Sequence, residues 1–238
     1  MNTLVILFCL LGATDNETRT ISGKAKSATG QPLYELIQGE TWSKGEWTLR
    51  TVHGRLENGR QIFKQVIKPG EHPAVPNISM TYLNSPKGFS VQWKAGQVVM
   101  SFTDAAGKST TNTIDQPPPN LVGPGGILAA IRNDWRALRD GQTLQWKMIV
   151  PPKADAYSVR LVPKGIEKID GEQALRVTLE ADNWLIRLIA PSTDFWIDLK
   201  YRSTLQYRGM GATDGPDGAP NEAIINFKSP MLPVVAPN

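Results

Sequence analysis

Thiols, imidazoles and long apolar runs are nearly absent from this 238-residue sequence. Cysteine occurs once, at Cys9, and histidine twice, at His53 and His72. A lone thiol makes no internal disulfide, and Cys9 falls in an apolar run that reads as a removable leader, so the mature chain is expected to carry no thiolate ligand or cysteine nucleophile. Apart from Glu71 beside His72, neither imidazole has neighbours in a metal-ligand pattern, and no metal or other cofactor is expected. Catalytic motifs are missing as well. The chain has no Gly-x-Ser-x-Gly elbow, no P-loop ending, no dinucleotide fingerprint and no repeat of fixed period. Charge is equally unconcentrated: the net +4 comes from scattered Lys and Arg, so nucleic acid is not an expected partner. No catalytic residue is assigned, and the reading leans toward a non-enzymatic protein.

The one apolar run, from Leu4 to Leu11, is far too short to span a bilayer as a helix, so no transmembrane segment is expected in the mature chain. It ends in Gly12-Ala13, like the core and small-residue end of a secretory signal. That predicts residues 1–17 as a leader and a periplasmic or secreted location. A buried strand is the competing reading, since no Lys or Arg precedes Arg19. Ile6, Leu7 and Phe8 are too bulky for the processing site of a lipid-anchored cysteine.

What the sequence does contain is period-two alternation. Trp47, Leu49 and Thr51 alternate with Thr48, Arg50 and Val52, and Asn58-Gly59 marks a hairpin before the strand from Gln61 to Lys68. Pro69-Gly70 is expected to break that strand. Ile78-Met80-Tyr82, Phe89-Val91-Trp93 and Val98-Met100-Phe102 continue the pattern, so the first half reads as an antiparallel meander. Gln116 to Asn120, with three consecutive prolines, is a crossover that cannot sit inside a sheet. Later strands present one apolar and one polar face: Leu144-Trp146-Met148, Tyr157-Val159-Leu161, Leu175-Val177-Leu179 and Phe195-Ile197-Leu199. Residues 183–190 remain open between a short helix and a strand, 209–218 reads as a turn-rich loop, and 230–238 as a tail.

An apolar sheet face needs a cover, and one stretch supplies it. Between Gly125-Gly126 and Gly141, Ile127, Leu128, Ile131, Trp135 and Leu138 form a stripe at helical spacing, which predicts one main helix over about 125–140. Asp134 projects onto that apolar face, where a carboxylate must be paired, hydrogen-bonded or protonated. It is the buried polar candidate, expected to bond a strand arginine such as Arg160 or Arg176 or backbone N–H groups; a catalytic role ranks behind that. Arg132, Arg136 and Arg139 share a flank that suits lipid head groups or acidic glycans, though a solvated flank explains them too. The Gly123-to-Gly126 run reads as a plain helix entry in preference to an anion site. Trp42, Trp47, Trp93, Trp146, Trp184 and Trp196 could line a ligand cavity, against the usual reading of strand tryptophans as core.

Trp135, Leu138 and Gly141, followed by a strand, together with Tyr207 and Gly209 near the end, resemble elements of uncharacterised exported bacterial β proteins. These families are distantly similar to the lipoprotein carriers of the cell envelope. The resemblance implies a mainly β (α+β) fold, a large curved antiparallel sheet or open half-barrel covered by one main helix. Residues 18–229 are expected to form a single domain. The function expected is an envelope protein binding a lipid, acyl chain or other hydrophobic ligand in a groove between sheet and helix. Trp135, Ile131, Trp146, Trp93, Arg132 and Arg136 are the candidate ligand residues. An envelope protein is a further expected partner. The alternatives are a structural module with a filled core that binds protein or glycan, and, third, a hydrolase.

Overall fold

The computed structural model describes residues 16–44, 46–188, 191–214 and 220–228. The expected leader core at 4–11 and the tail at 230–238 lie outside the described residues. The first eight strands are a meander of β1 (Asn16–Lys26), β2 (Pro32–Ser43), β3 (Glu46–Arg55), β4 (Gln61–His72), β5 (Val75–Tyr82), β6 (Gly88–Lys94), β7 (Gln97–Thr103) and β8 (Ser109–Ile114). After the proline crossover come β9 (Leu121–Val122) and the helices α1 (Ile127–Asn133) and α2 (Trp135–Arg139). The chain then forms β10 (Leu144–Val150), β11 (Asp155–Ile169), β12 (Glu172–Ala181), α3 (Trp184–Arg187), β13 (Thr193–Asp198), β14 (Thr204–Asp214) and β15 (Pro220–Lys228).

All fifteen strands of the described residues belong to one sheet, ordered β8-β7-β6-β5-β4-β3-β2-β1-β15-β14-β13-β12-β11-β10-β9. Every neighbouring pair is antiparallel except β9 with β10, where the crossover lays Leu121 parallel beside Lys147. The two wings are joined along β1 and β15, in register from Ser22 against Lys228 to Lys26 against Ile224. The sheet is curved and does not close. Its β8 edge comes round to the far wing, where Asn112 Nδ2 donates to the Ala154 carbonyl at 2.9 Å, in the 3-10 turn that follows β10.

The alternation dictates where the core sits. Val52, Phe63, Ile67, Ile78, Met80, Val91, Val98 and Met100 of the first wing share one cluster with Leu121 and Ile149 from β9 and β10. A second cluster joins α1 and α2 to β10–β13: Ile131 and Leu138, both 0% exposed, pack with Trp135, Trp146, Leu161, Leu175, Val177, Phe195 and Ile197. Each such aliphatic side chain contributes about 1.5–3 kcal/mol by leaving water. The helical stretch is therefore the cover that the one-sided second wing requires.

Several expectations are corrected. The main helix is two segments, because Asp134 lies outside the helical well at φ −99°, ψ 18°. Backbone bonds still cross the break, from Asp134 N to Ala130 O and from Leu138 N to Asp134 O. Pro69-Gly70 does not end β4, which continues to His72 with a register shift between Lys68 and His72. The proline occupies that irregularity, and its carbonyl accepts from Asn77 Nδ2 at 2.8 Å instead of from the ladder. The segment 209–218 is strand as far as Asp214, also through a register shift, and residues 215–219 lie outside the described set. Of the ambiguous 183–190, Trp184–Arg187 is a short helix whose Asn183 side chain caps the Leu185 N–H.

Candidate functional site

The helix entry fixes the site. Gly123 N donates to the Ala74 carbonyl at 2.8 Å, and a Cβ on Gly126 would collide with that same oxygen. Gly125, at φ +78°, turns the chain between them. The run Gly123-Pro124-Gly125-Gly126 thus docks α1 on the β4–β5 turn. One flank of α1, carrying Ala129, Ala130, Asn133 and Asp134, faces β9, β10 and that turn across an open cleft of about 350 Å³. Leu144 and Trp146 supply apolar wall, and His72, Asn120 and Gln145 supply polar rim. Asn120 Nδ2 braces the wall by donating to the Gln145 carbonyl at 3.2 Å.

The predicted residues divide between this cleft, the core and the opposite flank. Trp146 borders the cleft while remaining buried. Ile131 and Trp135 are core, packed against the sheet. Trp93 lies far along the chain on β6, half-buried against the first-wing core, with Nε1 donating to the Val75 carbonyl at 2.6 Å. Arg136 is exposed. Asp134 is half-buried in the cleft wall, but its carboxylate accepts from neighbouring Asn133 Nδ2 at 3.1 Å. The strand arginines are engaged elsewhere: Arg160 with Glu180, and Arg176 with Asp194 and Glu167. The break in the helix at Asp134 explains the difference, since the 100° step no longer projects its side chain correctly.

Arg132 departs furthest from the solvated flank. It turns inward, and its Nε donates to the Arg202 carbonyl at 2.9 Å. Around it are Arg50, Glu40 and Arg202; burial holds the Arg132 guanidinium below its ordinary value, Arg50 and Arg202 add to that, and Glu40 opposes it. Glu40, buried on β2, accepts from Arg50 Nε at 2.8 Å, Gln38 Nε2 at 2.9 Å and Trp42 Nε1 at 3.2 Å. In this region guanidiniums lie over indole rings: Arg19 over Trp42 at 4.4 Å, Arg50 over Trp47 at 5.2 Å and Arg202 over Trp135 at 5.8 Å. Sequence reading named Arg132 and Trp135 of this cluster as candidates but missed Glu40, Arg50 and Arg202. The signal for Glu40 was present, because Glu40 and Gln38 share the strand parity of Leu36 and buried Tyr34.

A second cleft, of about 650 Å³, lies between Pro191–Asp194 and the β14–β15 pair. Its charges are paired: Arg208 with Glu222 at 2.7 Å, and Asp194 with Arg176 at 2.9 Å and the Thr178 hydroxyl at 2.5 Å. Among the described residues no three metal-ligating side chains converge, and no helix is long and apolar enough to cross a membrane.

No protein-family model and no curated protein matches the chain. Solved structures do. The beta-barrel-like protein of domain of unknown function DUF1849 from Brucella abortus superposes with a TM-score of 0.50 at 8% identity, over 89% of this chain and 98% of that one. A domain named as an outer membrane lipoprotein-sorting protein from Vibrio parahaemolyticus covers 92% of this chain and 85% of its own, at TM-score 0.27 and 7% identity. A DUF1329 family protein from Desulfovibrio piger covers 91% and 85%, at 0.26 and 8%. The likeness is one of fold: this chain has the β-barrel-like architecture of the first of these bacterial domains, as an open sheet with a helical cover.

Proposed function

We propose that the protein is an exported, non-enzymatic binding protein that takes the apolar part of a lipid or other hydrophobic ligand in the cleft beside α1. The cleft carries the reading. Most of the helix-to-sheet interface is filled, yet at Ala129, Ala130, Leu144 and Trp146 the packing stops and leaves a volume of about 350 Å³, in the range of small-molecule sites. Small alanines on the helix opposite a tryptophan wall suit a narrow apolar chain, and Asn133, Asp134 and His72 suit a polar end at the mouth. Export rests on the apolar run at 4–11 and is tested by N-terminal sequencing of the protein recovered from cell fractions.

The binding test uses the full chain. Native mass spectrometry after mild purification is expected to retain lipid, and a fluorescent fatty acid is expected to bind saturably. Ala129→Trp, which fills the cleft, should weaken that uptake at least tenfold. A clean apo mass together with no uptake would sink the reading and favour the second one, an interaction module with a filled core. The observation behind that second reading is the exposed apolar group Trp184, Leu185, Ile186 and Leu188, with Trp184 at 62% exposure.

A further inference from the structure

Flanking α1 on the side away from the cleft, the arginine-tryptophan cluster holds more half-buried positive charge than its own acid neutralises. Glu17 pairs with Arg19 at the exposed margin. Among the described residues the single carboxylate within the cluster is Glu40, and both its oxygens are engaged: Oε1 by Gln38 and Arg50, Oε2 by Trp42. Glu40 bonds Arg50 directly, and only its longer-range field reaches Arg132. Among the described residues neither Arg132 nor Arg202 has a carboxylate partner, and the terminal nitrogens of Arg132 meet no acceptor. Crowding three half-buried guanidiniums around one carboxylate is unfavourable, and an anion between them would offset that cost.

The geometry also fixes the fork. Arg132 is held through Nε by the Arg202 carbonyl, which leaves its two terminal nitrogens on the planar edge that binds carboxylate or phosphate in a bidentate manner. Trp135 under Arg202 and Trp47 under Arg50 restrict the neighbouring guanidiniums. We infer that Arg132, Arg50 and Arg202 form a binding site for an oxyanion group, a carboxylate or a phosphate. The site is separate from the cleft and does not depend on what the cleft binds.

Isothermal titration of the full chain at low ionic strength, with inorganic phosphate in one series and acetate in another, tests it. Saturable binding is expected for at least one of them. Phosphate alone identifies a phosphate group, acetate alone a carboxylate, and both a general oxyanion site. Arg132→Gln should weaken binding at least tenfold, and Arg136→Gln, on the exposed side, should change it less than twofold. No saturable binding, or equal binding by Arg132→Gln, would overturn the inference. Should that variant fail to fold, the indole N–H resonances of the wild-type chain decide: Trp47 and Trp135 shift on anion addition and exposed Trp184 does not. Absence of those shifts also overturns it. Because the cleft is probed by cavity filling at Ala129, the two proposals fail independently.

Discussion

Replacing Ile131 by alanine separates a core role from a ligand role. Ile131 is 0% exposed and packs in the cluster that α1 and α2 share with β10–β13. The substitution removes three carbons, worth about 0.8 kcal/mol each, or about 2.4 kcal/mol of transfer free energy. If roughly 40 Å³ of the vacated space stays empty, the cavity adds about 1 kcal/mol at ~24 cal/mol per Å³. Alanine's better helix propensity returns about 0.4 kcal/mol. The net loss is about 3 kcal/mol, a fall in Tm of roughly 6–12 °C for a domain of this size. Urea denaturation followed by tryptophan fluorescence measures it, and an unchanged m-value with a lower midpoint is the expected form. A loss below about 1 kcal/mol would refute the view that this helix seals the second wing. If fatty-acid affinity fell instead with stability intact, Ile131 would be a ligand contact, as the sequence reading had it.

Three further outcomes follow from local geometry. Gly126→Ala drives a methyl group into the Ala74 carbonyl and should cost several kcal/mol or prevent folding, whereas Gly141→Ala, with open space but φ +83°, should cost only about 1–2 kcal/mol; thermal melts of the pair would contradict this if the order were reversed. Asp194→Ala leaves Thr178 without its acceptor and Arg176 with Glu167 alone, and a loss of about 2–4 kcal/mol is expected in the same denaturation assay, with less than 1 kcal/mol arguing that the pair is solvated. Burial pushes the Tyr207 hydroxyl up to about 12, so the fold favours the neutral phenol; its contribution is complete below the unfolded value of about 10, declines as pH rises above that, and is lost beyond the folded value, at most about 2.7 kcal/mol. Denaturation between pH 9 and 12 should show that decline, shallower in Tyr207→Phe. Tyr34, raised by burial in the same direction, keeps part of it.

Alternation made the sheet legible because each strand buries one face, and Val52, Met80, Val91 and Met100 carry that period directly into the first core. The helix was legible for the same reason. Its interruption was not, because Asp134 leaves the helical well in a tertiary setting that a projection wheel does not contain. Pro69 misled for a related reason: a proline signals the end of a strand unless an irregularity accommodates it, and here Asn77, from the next strand, takes up its carbonyl. The arginine cluster was the least legible part. Arg50 and Glu40 are directly opposed in the β2–β3 register, Arg132 comes from α1 and Arg202 from the β13–β14 turn, so their meeting depends on how the helix crosses the inner face. Trp184 shows the limit of residue type as a guide, since most of the tryptophans are buried or half-buried and this one is exposed.

The strand order has a consequence for how the sheet assembles. Along each wing almost every pairing joins strands that are consecutive in the chain, so hairpins can form locally with little loop-closure cost. The pairing of β1 with β15 is the exception: it lies at the middle of the sheet in space but brings together its most distant strands in sequence. Two half-sheets can thus grow independently, and their union is the slow, entropically demanding event. A circular permutant that links β15 to β1 and opens the chain in the proline crossover would convert that event into one more local hairpin. It should fold faster than the natural order while reaching the same sheet.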